Sequence, residues 1–407
     1  MRSQKFNSTF SALSSPNYRL WFSGQVASLV GTWMQATAEG YLIFQLTHSP
    51  AYLGYASFAN GLPTLLFTLF GGVIADRIPR RRLIVITQST MMALAFTLAT
   101  LTFTGLVRPW HIILLEFLLG TTNAFEVPAR QSFVTEMVDR KDLTNAIALN
   151  STMFNIGTVV GPAIAGLIYA WVGPGWCFTI NGISFLAVIT ALLLMKLSGV
   201  LSKPSGKSAF SELKEGLTYA WRETTIRSLL INLGIMGMFG FGLLALLPAW
   251  AVDVLKGDAT TNGLLLSARG VGSLLGALMI AYVGSGGTRG KIWTIGYFLT
   301  PVFLIIFSLL RWVPLSLVGL VTVGWAMMAM INTTNALIQT HVPDELRGRV
   351  MGVYSLVFIG GTPVGSLIAG WGADRFGEPF TVVAFSIIVL IGSAVTFLWR
   401  PAMRQLN

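Results

Sequence analysis

Charged residues are scarce in this chain, where Asp, Glu, Lys and Arg make up 11% of 407 residues. Soluble domains are about one quarter charged, so the composition argues against a soluble fold. Cysteine occurs once, at Cys177, which excludes a disulfide within the chain. The three histidines, His48, His111 and His341, lie far apart in the sequence. We therefore predict no metal site and no cofactor.

Hydrophobic residues, in contrast, supply 54% of the chain. Apolar runs of about 20 residues recur from end to end, and a helix of that length can cross a bilayer. We predict an all-α integral membrane protein with twelve transmembrane helices. These spans lie near residues 20–45, 50–75, 83–104, 110–134, 145–171, 175–197, 226–252, 260–283, 291–311, 314–340, 350–372 and 378–399.

The basic residues predict an orientation. If the N-terminus lies inside, all but five of the 27 Lys and Arg residues fall in the tails or in connections on that side. Cytoplasmic connections of membrane proteins carry such an excess, so we expect both termini in the cytoplasm and the chain in a bacterial-type plasma membrane. The bias accounts for part of the net charge of +11, so the charge does not indicate a nucleic-acid partner.

A long polar stretch, residues 198–225, divides the twelve spans into two sets of six. We predict one six-helix bundle in residues 1–197 and a second in residues 226–407. Apolar side chains recur at helical spacing within the stretch, which indicates either an amphipathic helix on the membrane surface or a plain linker helix. They are Phe210, Leu213, Leu217 and Trp221.

The two sets of spans resemble each other. "GTVVGPAIAG" at 157–166 matches "GTPVGSLIAG" at 361–370, with a shift of 204 residues. Internal repeats with a binding site at their interface are a common design among transporters. We therefore expect the bundles to be related by a pseudo-twofold axis.

The connection between spans 2 and 3 holds the densest cluster of charge in the chain, in "GGVIADRIPRRRLIVI". It resembles a signature of the major facilitator superfamily of transporters, G-x-x-x-D-R-x-G-R-R. Proline stands at position 79, where glycine is usual. The matching positions are Gly72, Asp76, Arg77, Arg80 and Arg81.

A second motif of that superfamily, G-x-x-x-G-P-x-x-G-G, lies in span 5 and resembles the pattern found in antiporters. It is matched by Gly157, Gly161, Pro162 and Gly166. Other stretches, such as "GTWMQ" and "NAFEVPARQSFV", resemble the branch that contains drug, macrolide and enterobactin exporters. The chain departs from drug exporters in span 4, because Glu116 stands where their R-x-x-Q-G motif has arginine.

The resemblance implies a gate at the loop. Asp76 is expected to face the N-terminal end of span 11, where a carboxylate is favourable by about 0.3–1 kcal/mol when exposed. Arg77 is expected to pair with an acid in span 4, and Glu126 is the best candidate by position. Alternatively, Glu126 pairs with Arg130 one turn away on its own helix.

The resemblance also places spans 1, 4, 7 and 10 around a central cavity. Polar, methionine and aromatic side chains share faces of these four spans, which predicts a cavity suited to an amphiphile, although polar stripes also join helices to one another. The predicted lining residues are Thr32, Gln35, Asn123, Met236, Phe239, Trp325, Met328, Asn332 and Asn335.

Charged groups inside spans are costly and usually functional. Because desolvation disfavours the charged form of a carboxyl group, we predict that Glu39 and Glu116 bind and release protons. Arg269 is expected to pair with one of them. Two acids against one arginine favour a cationic or zwitterionic substrate.

Together these features predict a monomeric secondary exporter, which moves a small amphiphilic compound out of the cytoplasm by alternating access in exchange for protons. A lipid or lysolipid translocase on the same fold is the alternative. An enzyme is not predicted, because the chain shows no nucleophile or metal constellation, and it lacks the phosphate-binding G-x-x-x-x-G-K-[ST] loop of an ATP-driven pump.

Overall fold

The computed structural model describes residues 10–196, 209–283 and 289–400, together with Met403 and Leu406. Within these ranges, the structure does not describe five side chains, which are those of Leu69, Val73, Asp76, Ala209 and Phe210. The described residues form helices joined by short connections and contain no strand. The prediction of an all-α protein is confirmed.

Twelve long helices follow the predicted spans in order and carry the same numbers here. The first six are α1 Pro16–Thr47, α2 Pro50–Arg77, α3 Arg80–Phe103, α4 Pro109–Phe133, α5 Leu143–Val172 and α6 Pro174–Leu194. The second six are α7 Thr224–Phe239, α8 Ala259–Val283, α9 Arg289–Leu309, α10 Val313–His341, α11 Asp344–Phe376 and α12 Glu378–Trp399.

Ten of the described helices are long and apolar enough to cross a membrane. They are α3 to α12. Helix α7 is counted here together with its irregular continuation, which ends at Val254. The first two helices are not among them, although they span 32 and 28 residues. The number of twelve membrane spans therefore stays a prediction for α1 and α2.

Proline and glycine mark the helix ends. Proline occupies the first turn of α1, α2, α4 and α6, where its missing N–H costs no helical hydrogen bond. Single glycines with positive φ separate α5 from α6 and α11 from α12: Gly173 at 91° and Gly377 at 83°. These two positions are 204 residues apart, which is the shift of the sequence repeat.

The continuation of α7 is irregular. It passes through a 3₁₀ segment, Phe241–Leu246, and a short π-helical segment, Trp250–Val254. Gly242 lets this segment approach α11 so closely that a Cβ atom would lie 2.5 Å from the backbone of Gly365. Irregular backbone at membrane depth is tolerated where protein or a cavity covers it.

The two halves meet through α2 with α11 and through α5 with α8. We call the face that carries the connection between α2 and α3 the basic face, and the opposite one the far face. Toward the far face the helices approach closely at glycines, because glycine lets two backbones come together. A Cβ atom added at Gly54 would lie 2.7 Å from the carbonyl oxygen of Ser366. A Cβ atom added at Gly166 would lie 2.8 Å from the carbonyl oxygen of Ala259.

A polar contact joins the halves at the same end. The Ser49 hydroxyl, at the start of α2, donates a 2.5 Å hydrogen bond to Asp374 Oδ1, near the end of α11. Toward the basic face, in contrast, Gly72 of α2 and Gly352 of α11 have open space where a Cβ atom would lie. The glycine contacts and this hydrogen bond therefore place the closest described packing between the halves toward the far face.

A helix at the basic face, Ala209–Arg222, precedes α7 and lies within the predicted linker. Its Glu215 pairs with Arg349 of α11 at 2.6 Å, and its Leu213 packs against the core of the second half. Leu217 and Trp221 are 53% and 64% exposed. Residues 198–208 of the predicted linker, and the Phe210 side chain, lie outside the described residues.

We expect Gly263→Ala, in α8, to lower the melting temperature of the purified protein in detergent. A Cβ atom at residue 263 would overlap the Pro162 carbonyl oxygen of α5, and overpacking typically costs about 1–3 kcal/mol. The matched control is Gly352→Ala, because no atom lies within 4 Å of that Cβ position. Equal melting temperatures for the two variants would contradict the described contact between the halves.

Candidate functional site

A cavity of about 550 Å³ lies between the two halves. Its walls come from α1, α2, α4 and α6 of the first half, and from α8, α11 and the 3₁₀ segment after α7 in the second. Drug-sized ligands occupy pockets of about 300–1,000 Å³. The cavity is mostly apolar, and three charged side chains reach its wall: Glu39, Glu116 and Arg269.

Glu39 of α1 and Glu116 of α4 lie side by side on the cavity wall and form a carboxyl pair. Glu39 is only 4% exposed. An ionised carboxylate can only accept hydrogen bonds, whereas a protonated one can also donate. A hydrogen bond between the two groups therefore forms only when one of them carries a proton.

Amide side chains hold this carboxyl pair in place. Asn60 Nδ2 donates to Glu116 Oε2 at 2.7 Å, and Gln35 Nε2 donates to Glu39 Oε1 at 3.2 Å. Asn181 Nδ2 in turn donates to Gln35 Oε1 at 2.7 Å. All five side chains belong to the first half, so the polar network does not depend on how the halves are oriented.

Local packing explains how these side chains meet. Gln35 and Glu39 lie one turn apart on α1, which puts them on the same face. Gly120, one turn after Glu116, brings α4 against the backbone of α2 at Asn60, where a Cβ atom would overlap the carbonyl oxygen. Asn60 can therefore reach Glu116.

Sequence analysis did not identify Asn60 and Asn181 as site residues. The available signal was an isolated amide inside an apolar span, and Asn181 of α6 is only 2% exposed. Such amides often join helices without serving a site, so the sequence offered no reason to link these two to the glutamates.

Arg269 of α8 lies on the wall contributed by the second half. Its Nε atom is closed off from solvent and has no hydrogen-bond partner among the described residues. The ion pairs found in the described part of the chain do not include Arg269 with Glu39 or Glu116. The pairing expected from the sequence is therefore not formed in this structure.

Of the residues predicted to line the cavity, Thr32, Gln35 and Asn123 are on its wall. The predicted residues of α7 and α10 lie elsewhere. Met236 is fully buried in the core of the second half. The Phe239 ring packs against the Phe385 ring, with 5.1 Å between the ring centroids.

The predicted residues of α10 do not border the cavity because α8 packs against this helix. Trp325 and Met328 lie against α8, where a Cβ atom at Gly276 would be 2.7 Å from the Trp325 carbonyl oxygen and 3.2 Å from Met328 Cβ. Asn332 is half-buried, and Asn335 accepts a 2.6 Å hydrogen bond from Gln339. The described wall of the cavity includes Leu266 and Arg269 of α8 and no residue of α10.

Two basic residues of the predicted gating loop, Arg80 and Arg81, have partners within the first half. Arg80 pairs with Glu136 at 2.7 Å. Arg81 donates to the carbonyl oxygens of Leu193 and Met195 at 2.9 and 3.2 Å. Because the last carbonyls of a helix lack partners within it, Arg81 satisfies the end of α6.

Glu126 and Arg130 follow the alternative left open by the sequence. Glu126 pairs with Arg130 at 3.1 Å, on its own helix. Arg77 is exposed at the end of α2. The side chain of Asp76 lies outside the described residues, so its expected contact with α11 stays a prediction.

The motif in α5 divides its contacts between the halves. Cβ atoms at Gly157 and Gly161 would lie 2.8 and 2.7 Å from Trp33 of α1. Gly166 and Pro162 instead approach α8 of the second half, at Ala259 and Gly263 respectively. Gly157 and Gly161 of the motif therefore pack α5 against α1 within the first half, whereas Pro162 and Gly166 contact the second half.

Comparisons with known proteins agree with this architecture. The family described as transmembrane secretion effector matches residues 7–406. The chain is 27% identical over 396 residues to the staphyloferrin A transporter of Staphylococcus aureus, covering 96% of this chain and 97% of the relative. It is 28% identical over 389 residues to the multidrug efflux pump Tap of Mycolicibacterium fortuitum, covering 93% and 94%. The crystal structure of the nucleoside transporter NupG superposes with a TM-score of 0.75 at 13% identity, covering 96% of this chain and 99% of that one.

The carboxyl pair generates a chemical prediction. Dicyclohexylcarbodiimide modifies protonated carboxyl groups in apolar surroundings, so we expect it to label Glu39 or Glu116 in purified protein. Peptide mass spectrometry locates the label, and labelling should fall as the pH rises because the reaction consumes the protonated form. Glu126 is the internal control, because it is paired with Arg130 and not with a second carboxyl group. Labelling of Glu126 at a rate equal to that of the pair would contradict a shared proton.

Proposed function

The chain belongs to the transmembrane secretion effector family of the major facilitator superfamily, whose members are membrane transporters, and we propose that it exports a small amphiphilic compound from the bacterial cytoplasm in exchange for protons. The observation that carries this proposal is the pair of adjacent carboxyl side chains, Glu39 and Glu116, on the cavity wall. The names of two relatives, a siderophore transporter and a multidrug efflux pump, support export of small compounds.

The proposed arrangement is twelve membrane spans in two bundles of six, related by a pseudo-twofold axis. Gly173 and Gly377 are separated by the same number of residues as the two copies of the sequence repeat, and this agreement supports the arrangement. The excess of Lys and Arg orients the basic face, and both termini, toward the cytoplasm. The bilayer is the remaining partner, and we expect the transporter to act as a monomer.

With that orientation, the contacts at the far face support a state open to the cytoplasm. The halves are packed together at the far face, through Gly54, Gly166 and the hydrogen bond from Ser49 to Asp374. The substrate would enter the cavity from the basic face. Transport then requires the contacts at the far face to separate while α2 and α11 close at the basic face.

The carboxyl pair provides the coupling step. A pair that holds one proton can lose it to the cytoplasm or gain a second one when the cavity opens outward. Two like charges in a shared site repel each other, so loss of the shared proton favours arrival of positive charge, whereas gain of a second proton removes the remaining negative charge. Gln35 and Asn60 keep the carboxyl oxygens in contact during this exchange.

We expect Glu39→Gln and Glu116→Gln each to abolish efflux driven by a pH gradient, because glutamine cannot exchange the proton. The measurement is transport of a fluorescent amphiphile in vesicles with an imposed gradient. The matched control is Glu345→Gln, an exposed acid at the start of α11, which should leave efflux unchanged.

Two outcomes would count against this coupling site. If both glutamine variants, singly and together, keep gradient-driven efflux, the carboxyl pair does not couple transport to protons. If a pH gradient drives no transport by the unaltered protein, exchange with protons is wrong, and the lipid or lysolipid translocase becomes the better hypothesis.

The two gates should respond to mutation in opposite directions. Asp374→Ala removes the acceptor of the Ser49 hydrogen bond and should favour the outward-open state, whereas Asp76→Asn should weaken closure at the basic face. Both variants are made in a protein that carries Cys177→Ala and Ala36→Cys, so that the only cysteine lies on the cavity wall. The protein with these two changes alone is the reference. In inside-out vesicles, a membrane-impermeant maleimide should label that cysteine more slowly in Asp374→Ala and faster in Asp76→Asn. The same change of rate in both variants would contradict two opposed gates.

A further inference from the structure

Among the described residues, Arg269, a cation on the cavity wall, has no ion-pair partner. It lies on α8, in the half opposite to the carboxyl pair, and its enclosed Nε atom has no hydrogen-bond partner in the described part of the chain. Burying a charge is costly unless an opposite charge or hydrogen bonds compensate it. A ligand that brings an anionic group to Arg269 would supply that compensation.

The charge balance of the cavity agrees with an anionic ligand group. With one proton shared between them, Glu39 and Glu116 together carry one negative charge. Arg269 carries one positive charge at the same cavity, which leaves no negative surplus. A purely cationic ligand would meet attraction at the first half and repulsion at the second, whereas a ligand with both charges can satisfy both walls.

The wall around Arg269 defines the rest of the ligand. Phe241, Leu244 and Leu266 come from the same half, and Trp33 comes from α1. These side chains offer an aromatic and aliphatic surface. Arginine presents a planar fork of N–H donors that matches a carboxylate, with two parallel hydrogen bonds.

We propose that Arg269 binds a carboxylate of the exported compound, so that the preferred substrate is a zwitterionic aromatic or aliphatic amphiphile rather than a plain cation. This rests on the proposed export function for its biological meaning. The binding geometry does not depend on protons driving transport. The cationic group of the substrate faces the carboxyl pair of the first half, and the carboxylate faces the second half, so the substrate bridges the two.

The test uses two dyes that differ in one group. Rhodamine B carries a carboxylate and a cationic xanthylium, and its methyl ester carries the cation alone. Binding of each dye to purified protein is measured by fluorescence anisotropy at a fixed pH, without a gradient. We expect the free acid to bind more tightly than the ester. Arg269→Gln should weaken binding of the acid by about tenfold or more, because it removes one partner of an enclosed charge pair, and should leave binding of the ester unchanged or stronger.

Control variants separate charge from folding. Arg269→Lys keeps the charge and should retain part of the preference for the acid, whereas Arg375→Gln, an exposed arginine stacked on Trp371 outside the cavity, should change neither dye. Equal or tighter binding of the ester by the unaltered protein overturns the proposal, and so does failure to bind either dye. An unchanged preference in a monodisperse Arg269→Gln protein also overturns it.

Failure of this inference is distinguishable from failure of the proposed function. If gradient-driven efflux of both dyes persists in Arg269→Gln with the same preference, export stands and Arg269 does not select the substrate. If the equilibrium preference depends on Arg269 but no gradient drives transport, the binding site stands and exchange with protons fails.

Discussion

Close contact between two pairs of helices, α2 with α11 and α5 with α8, determines the form of this transporter. The contact exists because glycines at positions such as 54, 166 and 263 let backbones approach across the boundary between the halves. The described contacts lie toward the far face and the middle of these helices, and a cavity lies between the halves. These contacts are therefore the structural joint between the halves.

The three charged side chains of the cavity are divided between the halves. Glu39 and Glu116 belong to the first half, together with the amides that hold them, and Arg269 belongs to the second. A rigid-body movement of one half against the other would therefore preserve the carboxyl pair and change its separation from Arg269. Proton exchange and recognition of an anionic group can accordingly be assigned to different halves, and a bridging substrate would sense their relative position.

The loop between α2 and α3 illustrates how one motif serves several purposes. Arg80 and Arg81 are tied to Glu136 and to the end of α6, so they strengthen the first half as well as orient it. Glu126 is likewise satisfied on its own helix by Arg130. None of these contacts crosses between the halves. The gating role of this loop therefore stays a prediction for Asp76 and Arg77.

The sequence alone determined the helical class, the two sets of helices, the superfamily and the rare charges that reach the cavity. It could do so because hydrocarbon cannot satisfy backbone hydrogen bonds, so apolar runs of sufficient length form helices and any acid among them stands out. Only the tertiary structure decided which charges meet. Asn60 and Asn181 joined the site because glycine packing brought α2 and α6 to the glutamates, while Trp325, Met328 and Met236 did not reach the cavity because α8 occupies that wall and the core encloses Met236. Such outcomes depend on the rotation and spacing of packed helices, which side-chain periodicity along one helix does not specify.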